Sequence, residues 1–341
     1  MMKTITLNTP GHFTLSDTPA PTTAGPGEAL VRVRRVGICG TDLHAFRGRQ
    51  PFFTYPRILG HELGVEIVEL GQSDQPHQLT VGDICAVEPY LNCGVCSACR
   101  RGKTNCCTKL QVLGVHTDGG MREYITVPIH KLHKAEGATV EQLAVVEMLC
   151  IGAHAVRRAQ LEPGEQVLVI GAGPIGLGTA AFAQLAGAEV TMLEMNDRRV
   201  EFCQRHLGIN NFVTPGEDVP QQLVRLVGDA PTTVFDATGN VNAMKQAFYY
   251  PAHGGKLVFV GLVQDDITFH DPYFHSHELT LYATRNATAA DFAHVVDALN
   301  GGKINLNPWL THQASPEEMI EVFPMWLDPA TGVVKAMLTF D

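Results

Sequence analysis

Residues able to hold a metal crowd one stretch, GICGTDLHAFRGRQPFFTYPRILGHE (37–62), which carries Cys39, Asp42, His44, His61 and Glu62. Thiolate, imidazole and carboxylate are the ligand types zinc takes, at about 2.0–2.3 Å in a tetrahedral shell. Cys39 and His61 are too far apart in sequence to share one turn, so tertiary structure must bring them together, as catalytic metal sites require. A second set is local. Cys93, Cys96 and Cys99 stand at CxxCxxC spacing and Cys107 follows after seven residues. Four thiolates in one lobe close a tetrahedral shell with no open position, which is the structural kind of zinc site. The spacing leaves Cys106 spare, and a cluster of free thiols is the plainer alternative. A further acid, Glu147, interrupts the helical period of VEQLAVVEMLCIGAHAVRRA. Burying a carboxylate there is costly without a partner, and a metal is one such partner; an exposed helix end is the other reading.

A different chemistry begins at Gly171-Ala-Gly173-Pro174-Ile175-Gly176, between the apolar run QVLVI and the helical run LGTAAFAQLAG. A GxGxxG in that strand–helix setting is a dinucleotide fingerprint. Its first glycine makes the turn, the second admits a pyrophosphate and the third lets helix pack on strand. The next strand, AEVTMLE, ends on Glu194, where a carboxylate can take both ribose hydroxyls of NAD and repel the 2′-phosphate of NADP. Arg198 and Arg199 pull the other way, so NAD is expected but NADP stays open. TTVFDATG and GGKLVFVGL read as later parallel strands. Thr238, Gly239, Gly261 and Leu262 in the turns that close them are candidate cofactor contacts, or plain turn residues.

These groups need two scaffolds. The first third alternates as β-strands (ITL, ALVRVRRV, GVEIVELG, VGDICAVEP) around turns such as PAPTTAGPGE, which points to a β-rich barrel. From about residue 151 strands and helices alternate, the mark of a doubly wound parallel sheet. A length of 341 residues suits about two domains of roughly 100–200 residues each. A net charge of −10 disfavours nucleic acid or an anionic membrane as partner. The N-terminus lacks a signal-peptide core and no long apolar span occurs, so a cytoplasmic protein with a small-molecule substrate is expected. Nine clustered cysteines in such a chain read as metal ligands and not as a disulfide framework.

With two zinc patterns and a dinucleotide fingerprint in this order, the chain resembles the zinc-dependent medium-chain dehydrogenase/reductase family over nearly its whole length. Glu147 ahead of GAHA looks like the sorbitol and threonine dehydrogenase branch, although Met148 stands where that branch usually has proline. GRQPFFTYPRILGHE, VLGVHTDGG, HGGKLVFVGL and TRNAT look more specifically like bacterial sugar-acid dehydrogenases that act on L-galactonate-like substrates. The resemblance implies an α/β protein in which a GroES-like catalytic domain (1–150 and 286–341) is split around a Rossmann domain (151–285). It also implies two zinc ions per subunit, one catalytic and one structural, and a homodimer or homotetramer in which the strand containing LVFVG pairs across subunits.

On this reading zinc is held by Cys39, His61 and either Glu62 or Glu147, with Asp42 orienting a ligand. Thr41 and His44 relay the proton of the oxidised hydroxyl, and Arg285 and Asn286 hold substrate or cofactor. An arginine there suits a sugar acid better than a neutral polyol. The alternatives are a non-catalytic zinc- and NAD-binding sensor and a simple-alcohol or threonine-type dehydrogenase.

Overall fold

The computed structural model describes residues 1–50 and 53–341; Pro51 and Phe52, inside the first metal-binding stretch and the GRQPFF resemblance, lie outside the described residues. Two compact units emerge, one built from Met1–Glu147 and Ala287–Asp341 and the other from Met148–Asn286. The first unit's strands are β1 (Met2–Thr9), β2 (His12–Thr18), β3 (Glu28–Gly37), β4 (Glu62–Leu70), β5 (Ile84–Val87), β6 (Tyr90–Leu91), β7 (Gln111–Val112), β8 (Tyr124–Pro128) and β9 (Leu132–Lys134). The second unit holds β10 (Gln166–Ile170), β11 (Glu189–Leu193), β12 (Asn211–Val213), β13 (Thr233–Asp236), β14 (Lys256–Phe259) and β15 (Thr280–Ala283). The chain then returns to the first unit with β16 (Leu310–Ala314) and β17 (Lys335–Thr339).

The main sheet of the first unit runs β16-β17-β3-β4-β5-β9, and β8 also pairs with β3. All these pairings are antiparallel except that of β16 with β17. Strand β3 is the hub because three strands hydrogen-bond to it. Its expected alternation is broken: Ala29, Leu30 and Val31 are all buried, and bulges against β4 fall at Leu30/Val31 and Val33/Arg35. The second bulge lets consecutive arginines, Arg34 and Arg35, sit in a strand whose valines 31, 33 and 36 stay fully buried.

Helix α1 (Gly40–Phe46) follows β3 directly. Its last residue, Phe46, packs on Phe13 at 5.3 Å and on Phe323 at 5.1 Å, and Phe323 packs on Trp326 at 5.8 Å. The C-terminal FPMWL therefore fixes α1, and through α1 the positions of Cys39 to His44. Short α2 (Ser97–Arg100) lies inside the cysteine lobe. Where the sequence suggests one helical run from 139, two helices form, α3 (Val140–Ala144) and α4 (Val146–Ala159). Thr139 caps α3 with Gln142 in a reciprocal box, the chain bends at Val145, and α4 restarts. The break places Glu147 in the first turn of α4, where free N–H groups and the helix dipole favour a carboxylate.

In the second unit all pairings are parallel, in the order β12-β11-β10-β13-β14-β15. This is the doubly wound order in which ligands sit beyond the strands' carboxyl ends, near β10 and β13, where the direction of winding reverses. Helices α5 (Pro174–Leu185) and α6 (Asp197–Leu207) follow β10 and β11. The strand containing LVFVG is β14, and it lies between β13 and β15 with both ladders occupied. It therefore has no free edge for pairing across subunits, and the expectation that it does so is corrected. The strand at that edge is β15. No helix among the described residues is long and apolar enough to cross a membrane.

Candidate metal and cofactor sites

Cys39 ends the loop after β3 and is the N-cap of α1, while His61 immediately precedes β4 and Glu62 opens it. The pairing of Gly37 with Glu62 in the β3–β4 ladder closes the sequence gap between them. A side chain at Gly37 would meet Glu62 Oε2 at 2.2 Å, so only glycine leaves room for the carboxylate to turn inward. The ligand atoms of Cys39, His61 and Glu62 lie within 4.8 Å of one another, and His61 and Glu62 are buried. Asp42 accepts a hydrogen bond from the Cys39 backbone N–H at 2.9 Å through Oδ2. Its Oδ1 lies 3.9 Å from His61 Nδ1, and both atoms are buried without a hydrogen-bond partner. That arrangement leaves the other ring nitrogen, Nε2, for a metal and puts Asp42 where it can orient the imidazole.

Two partners in this pocket were not foreseen from sequence. Lys335, on β17 and 2% exposed, gives its ammonium to both Glu62 oxygens at 2.8 and 2.7 Å and to the Ile38 carbonyl at 3.1 Å. The Tyr90 hydroxyl donates to Glu147 Oε1, and both residues are buried. Lysine in KAMLTF and tyrosine in EPYLN carry no motif; a charged residue inside an apolar terminal strand was the one available signal. Glu147 thus stands outside the group formed by Cys39, His61 and Glu62, although it is close enough to act on His61 electrostatically.

The pocket's electrostatics test whether a metal fits. Burial pushes the Asp42 and Glu147 carboxyls above their usual range, and Glu62 adds to both shifts. Burial alone would lower His61, yet the Cys39 thiolate and Asp42 raise it well above its ordinary value. Three buried acids and a thiol thus face one lysine. The donor set and the surplus of acidic groups fit a divalent cation, with Asp42 Oδ1 and His61 Nδ1 facing each other behind it.

Thr41 is in the first turn of α1, and His44 is one turn further on. Partial burial, with Arg47 and Arg49 beside it, lowers the His44 pKa and keeps the imidazole neutral and able to accept a proton.

The four-cysteine lobe is local, as its spacing requires. The sulfurs of Cys93, Cys96, Cys99 and Cys107 lie within 4.8 Å of one another, whereas Cys106 is exposed and outside the group. Tetrahedral zinc–thiolate bonds of about 2.3 Å imply sulfurs roughly 3.8 Å apart, so little adjustment is needed. Backbone N–H groups of Cys93 and Lys109 point at Cys107 Sγ, each at 3.3 Å. Those of Cys99 and Thr108 pull the Cys96 thiol down to about 5, ready to ligate as thiolate.

In the second unit the fingerprint glycines divide their work. A side chain at Gly176 would collide with the Gly171 carbonyl at 1.8 Å, whereas one at Gly173 would meet nothing within 4 Å. Gly173 therefore leaves open space at the N-terminus of α5, where no side chain caps the helix and Pro174 and Ile175 begin it. This is the room and polarity a pyrophosphate needs. Thr238 hydrogen-bonds Asp236 Oδ1 through its N–H (3.0 Å) and its hydroxyl (2.8 Å), and the Gly261 N–H bonds the Asp236 carbonyl at 2.9 Å. Thr238, Gly239, Gly261 and the exposed Leu262 thus gather at the carboxyl ends of β13 and β14.

Glu194 is buried at the end of β11. Its Oε2 accepts from the Ala172 N–H at 2.7 Å, and its Oε1 from the Met195 and Asn196 N–H groups at 2.8 and 2.9 Å. Arg199 lies 3.9 Å from Oε2, which keeps capacity for one hydroxyl. Arg285 and Asn286 follow β15, with Asn286 in the left-handed region at φ 51°.

Comparison with known proteins agrees with both halves. The model "Alcohol dehydrogenase GroES-like domain" matches residues 25–137, and "Zinc-binding dehydrogenase" matches 174–301. A third, "Pyridine nucleotide-disulphide oxidoreductase", matches 130–208, the stretch with the glycine fingerprint. The chain is 44% identical over 317 residues to an L-galactonate-5-dehydrogenase of Escherichia coli K12, covering 93% of each. It is 32% identical over 288 residues to a 2-dehydro-3-deoxy-L-galactonate 5-dehydrogenase of Pseudoalteromonas atlantica, covering 84% of each. Among solved structures, an Escherichia coli CFT073 alcohol dehydrogenase complexed with NADH matches with TM-score 0.90 at 30% identity, covering 99% of each chain.

Proposed function

This chain belongs to the zinc-type alcohol dehydrogenase family, and on that premise we propose that it oxidises a secondary hydroxyl of a sugar acid, an L-galactonate-like one first, with NAD as acceptor. The observation that carries the proposal is the meeting of Cys39, His61 and Glu62 within 4.8 Å, beside the further buried acids Asp42 and Glu147. Zinc held there supplies a Lewis acid that lowers the pKa of a substrate hydroxyl, and NAD supplies the hydride acceptor.

The chain's own residues do the rest. Cys39, His61 and Glu62 hold the metal, Lys335 balances the charge of Glu62, and Asp42 fixes the His61 ring. Thr41 accepts the hydroxyl proton and passes it toward His44, whose lowered pKa keeps the ring neutral beforehand and favours release of the proton to water. Cys93, Cys96, Cys99 and Cys107 hold a second, structural zinc. Gly171, Gly173 and Gly176, with Pro174 and Ile175, receive the pyrophosphate at α5, and Thr238, Gly239, Gly261 and Leu262 line the nicotinamide side. Glu194 takes a ribose hydroxyl through Oε2, and Arg199 lies at the adenine end. Arg285 pairs with the substrate carboxylate and Asn286 with a hydroxyl. We place the work in the cytoplasm, in a homodimer or homotetramer that uses the β15 edge, where Leu281 is exposed.

The test is nicotinamide reduction over a panel of sugar acids, polyols, threonine and simple alcohols, with zinc counted per chain. Turnover of a sugar acid with NAD, lost on chelation, is the expected result. Tight zinc and NAD binding with no turnover of any panel member would overturn it in favour of a sensor on the same scaffold.

A further inference from the structure

The residues just before the cysteine lobe are anchored at both ends of a short span. Tyr90 on β6 is 2% exposed and hands its hydroxyl to Glu147. Two residues on, Asn92 points its amide nitrogen at Cys99 Sγ, 3.8 Å away, and its oxygen accepts from Lys131 Nζ at 3.1 Å. Lys131 also pairs with the buried Glu88, and the Glu88 N–H bonds the Lys131 carbonyl at 2.8 Å. Cys93 follows at once, its N–H on Cys107 Sγ. Polar links, half-buried at Asn92 and buried at Lys131 and Glu88, therefore run from the four-cysteine lobe on either side of Tyr90. A buried ion pair adds little net stability of its own; it holds backbone geometry, and here that geometry aims a phenol at an acid.

Glu147 needs such aiming. It is 5% exposed, sits near His61 and Glu62, and yet lies outside the set whose ligand atoms fall within 4.8 Å. The Tyr90 hydroxyl is the side-chain donor that holds Glu147, and His61 and Lys335 act on it by charge alone. We propose that Tyr90 is a positioning residue that holds Glu147 off the metal and keeps one coordination position open, and that Asn92 couples it to the cysteine lobe. The inference rests on the zinc reading above.

Cobalt(II) replaces zinc as probe in the full-length protein, read by its d–d absorption and by chelator competition. Tyr90→Phe keeps the ring against Phe292, 6.2 Å away, and removes only the hydroxyl. Freed Glu147 then joins the metal: the d–d band weakens as the coordination number rises, and cobalt is held about tenfold more tightly, the scale on which outer partners tune a site. Adding Glu147→Gln to Tyr90→Phe restores the original band. Asn92→Ala, with both metal equivalents retained, moves the band the same way by less. An unchanged band or weaker cobalt retention in Tyr90→Phe overturns the inference, and an unmoved band in Asn92→Ala overturns the link to the lobe. Wild-type protein that takes up no cobalt at Cys39 would instead overturn the zinc reading itself.

Discussion

Glu62 and Glu194 are both buried acids, 0% and 6% exposed, and the chain satisfies them in opposite ways. Glu194 is held by three backbone N–H groups, two from the residues that follow it and one from the glycine loop. Glu62 is held by one side chain, Lys335, that arrives 273 residues later. Its neighbours Asp42 and His61 keep orphaned buried atoms, and Glu147 leans on a single phenol. Backbone N–H groups come with the fold, so a carboxylate they satisfy serves as a fixed recognition group. An acid satisfied by a distant lysine, among others that are not, marks a place where the balance of charge awaits a cation.

The largest test of that difference removes a donor from the cation-seeking pocket. Cys39→Ser is expected to cost about 10³-fold or more in kcat/KM, since metal polarisation is worth several kcal/mol and each 1.36 kcal/mol is tenfold. Zinc content should fall from two to one per chain by elemental analysis. A variant that stays active with both zincs would break the comparison. Next in size is Lys335→Met. It leaves Glu62 buried without its partner, a loss of about 3–5 kcal/mol for a broken buried pair. Urea unfolding should show that loss in chelated protein and a smaller one with zinc bound. Equal losses in both states would mean that Glu62 does not feel the metal.

The same contrast explains what was legible in the sequence. Glu194, the fingerprint glycines and the CxxCxxC lobe depend on neighbours in the chain, so spacing alone exposed them. Cys39 and His61 were readable as ligand types, but the β3–β4 ladder that unites them, with its two bulges, belongs to the structure. Lys335 and Tyr90 escaped because no local pattern distinguishes a lysine on a terminal strand that will be buried from one that will be solvated. The break at Val145 stayed hidden because residues 140–159 read as one helical period interrupted only at Glu147, and the Thr139–Gln142 capping box emerges from the structure. Resemblance points the LVFVG strand at a subunit contact, whereas strand order shows its ladders full.

A smaller effect is expected at the backbone-held acid. Glu194→Gln keeps the shape and removes the charge, so the loop should survive while discrimination changes. The NADP/NAD ratio of kcat/KM should rise about tenfold, worth 1.4 kcal/mol, as Arg199 is released to meet a 2′-phosphate. Circular dichroism and thermal melting should barely move. Unfolding in place of a changed cofactor preference would show that Glu194 is structural, and the contrast with Glu62 would then be one of degree.

Glu165 supplies the intermediate case and the smallest effect. It is partly buried and takes the Thr232 and Thr233 hydroxyls at 2.8 and 3.0 Å, with Lys256 at 3.6 Å. Burial would raise its pKa, but the Glu162 N–H and the two hydroxyls outweigh this and hold it below the ordinary 4.5. A depressed acid contributes stability above its unfolded pKa and loses it as pH falls through the folded one. Wild-type stability should therefore decline on acidification below about pH 4.5, and Glu165→Gln should flatten that decline while costing about 1 kcal/mol at neutral pH. The measurement is urea unfolding of the zinc-loaded protein across that range. If Glu165→Gln leaves the acid limb as steep as before, mixed side-chain partners behave like water, and only full burial separates the two kinds of acid.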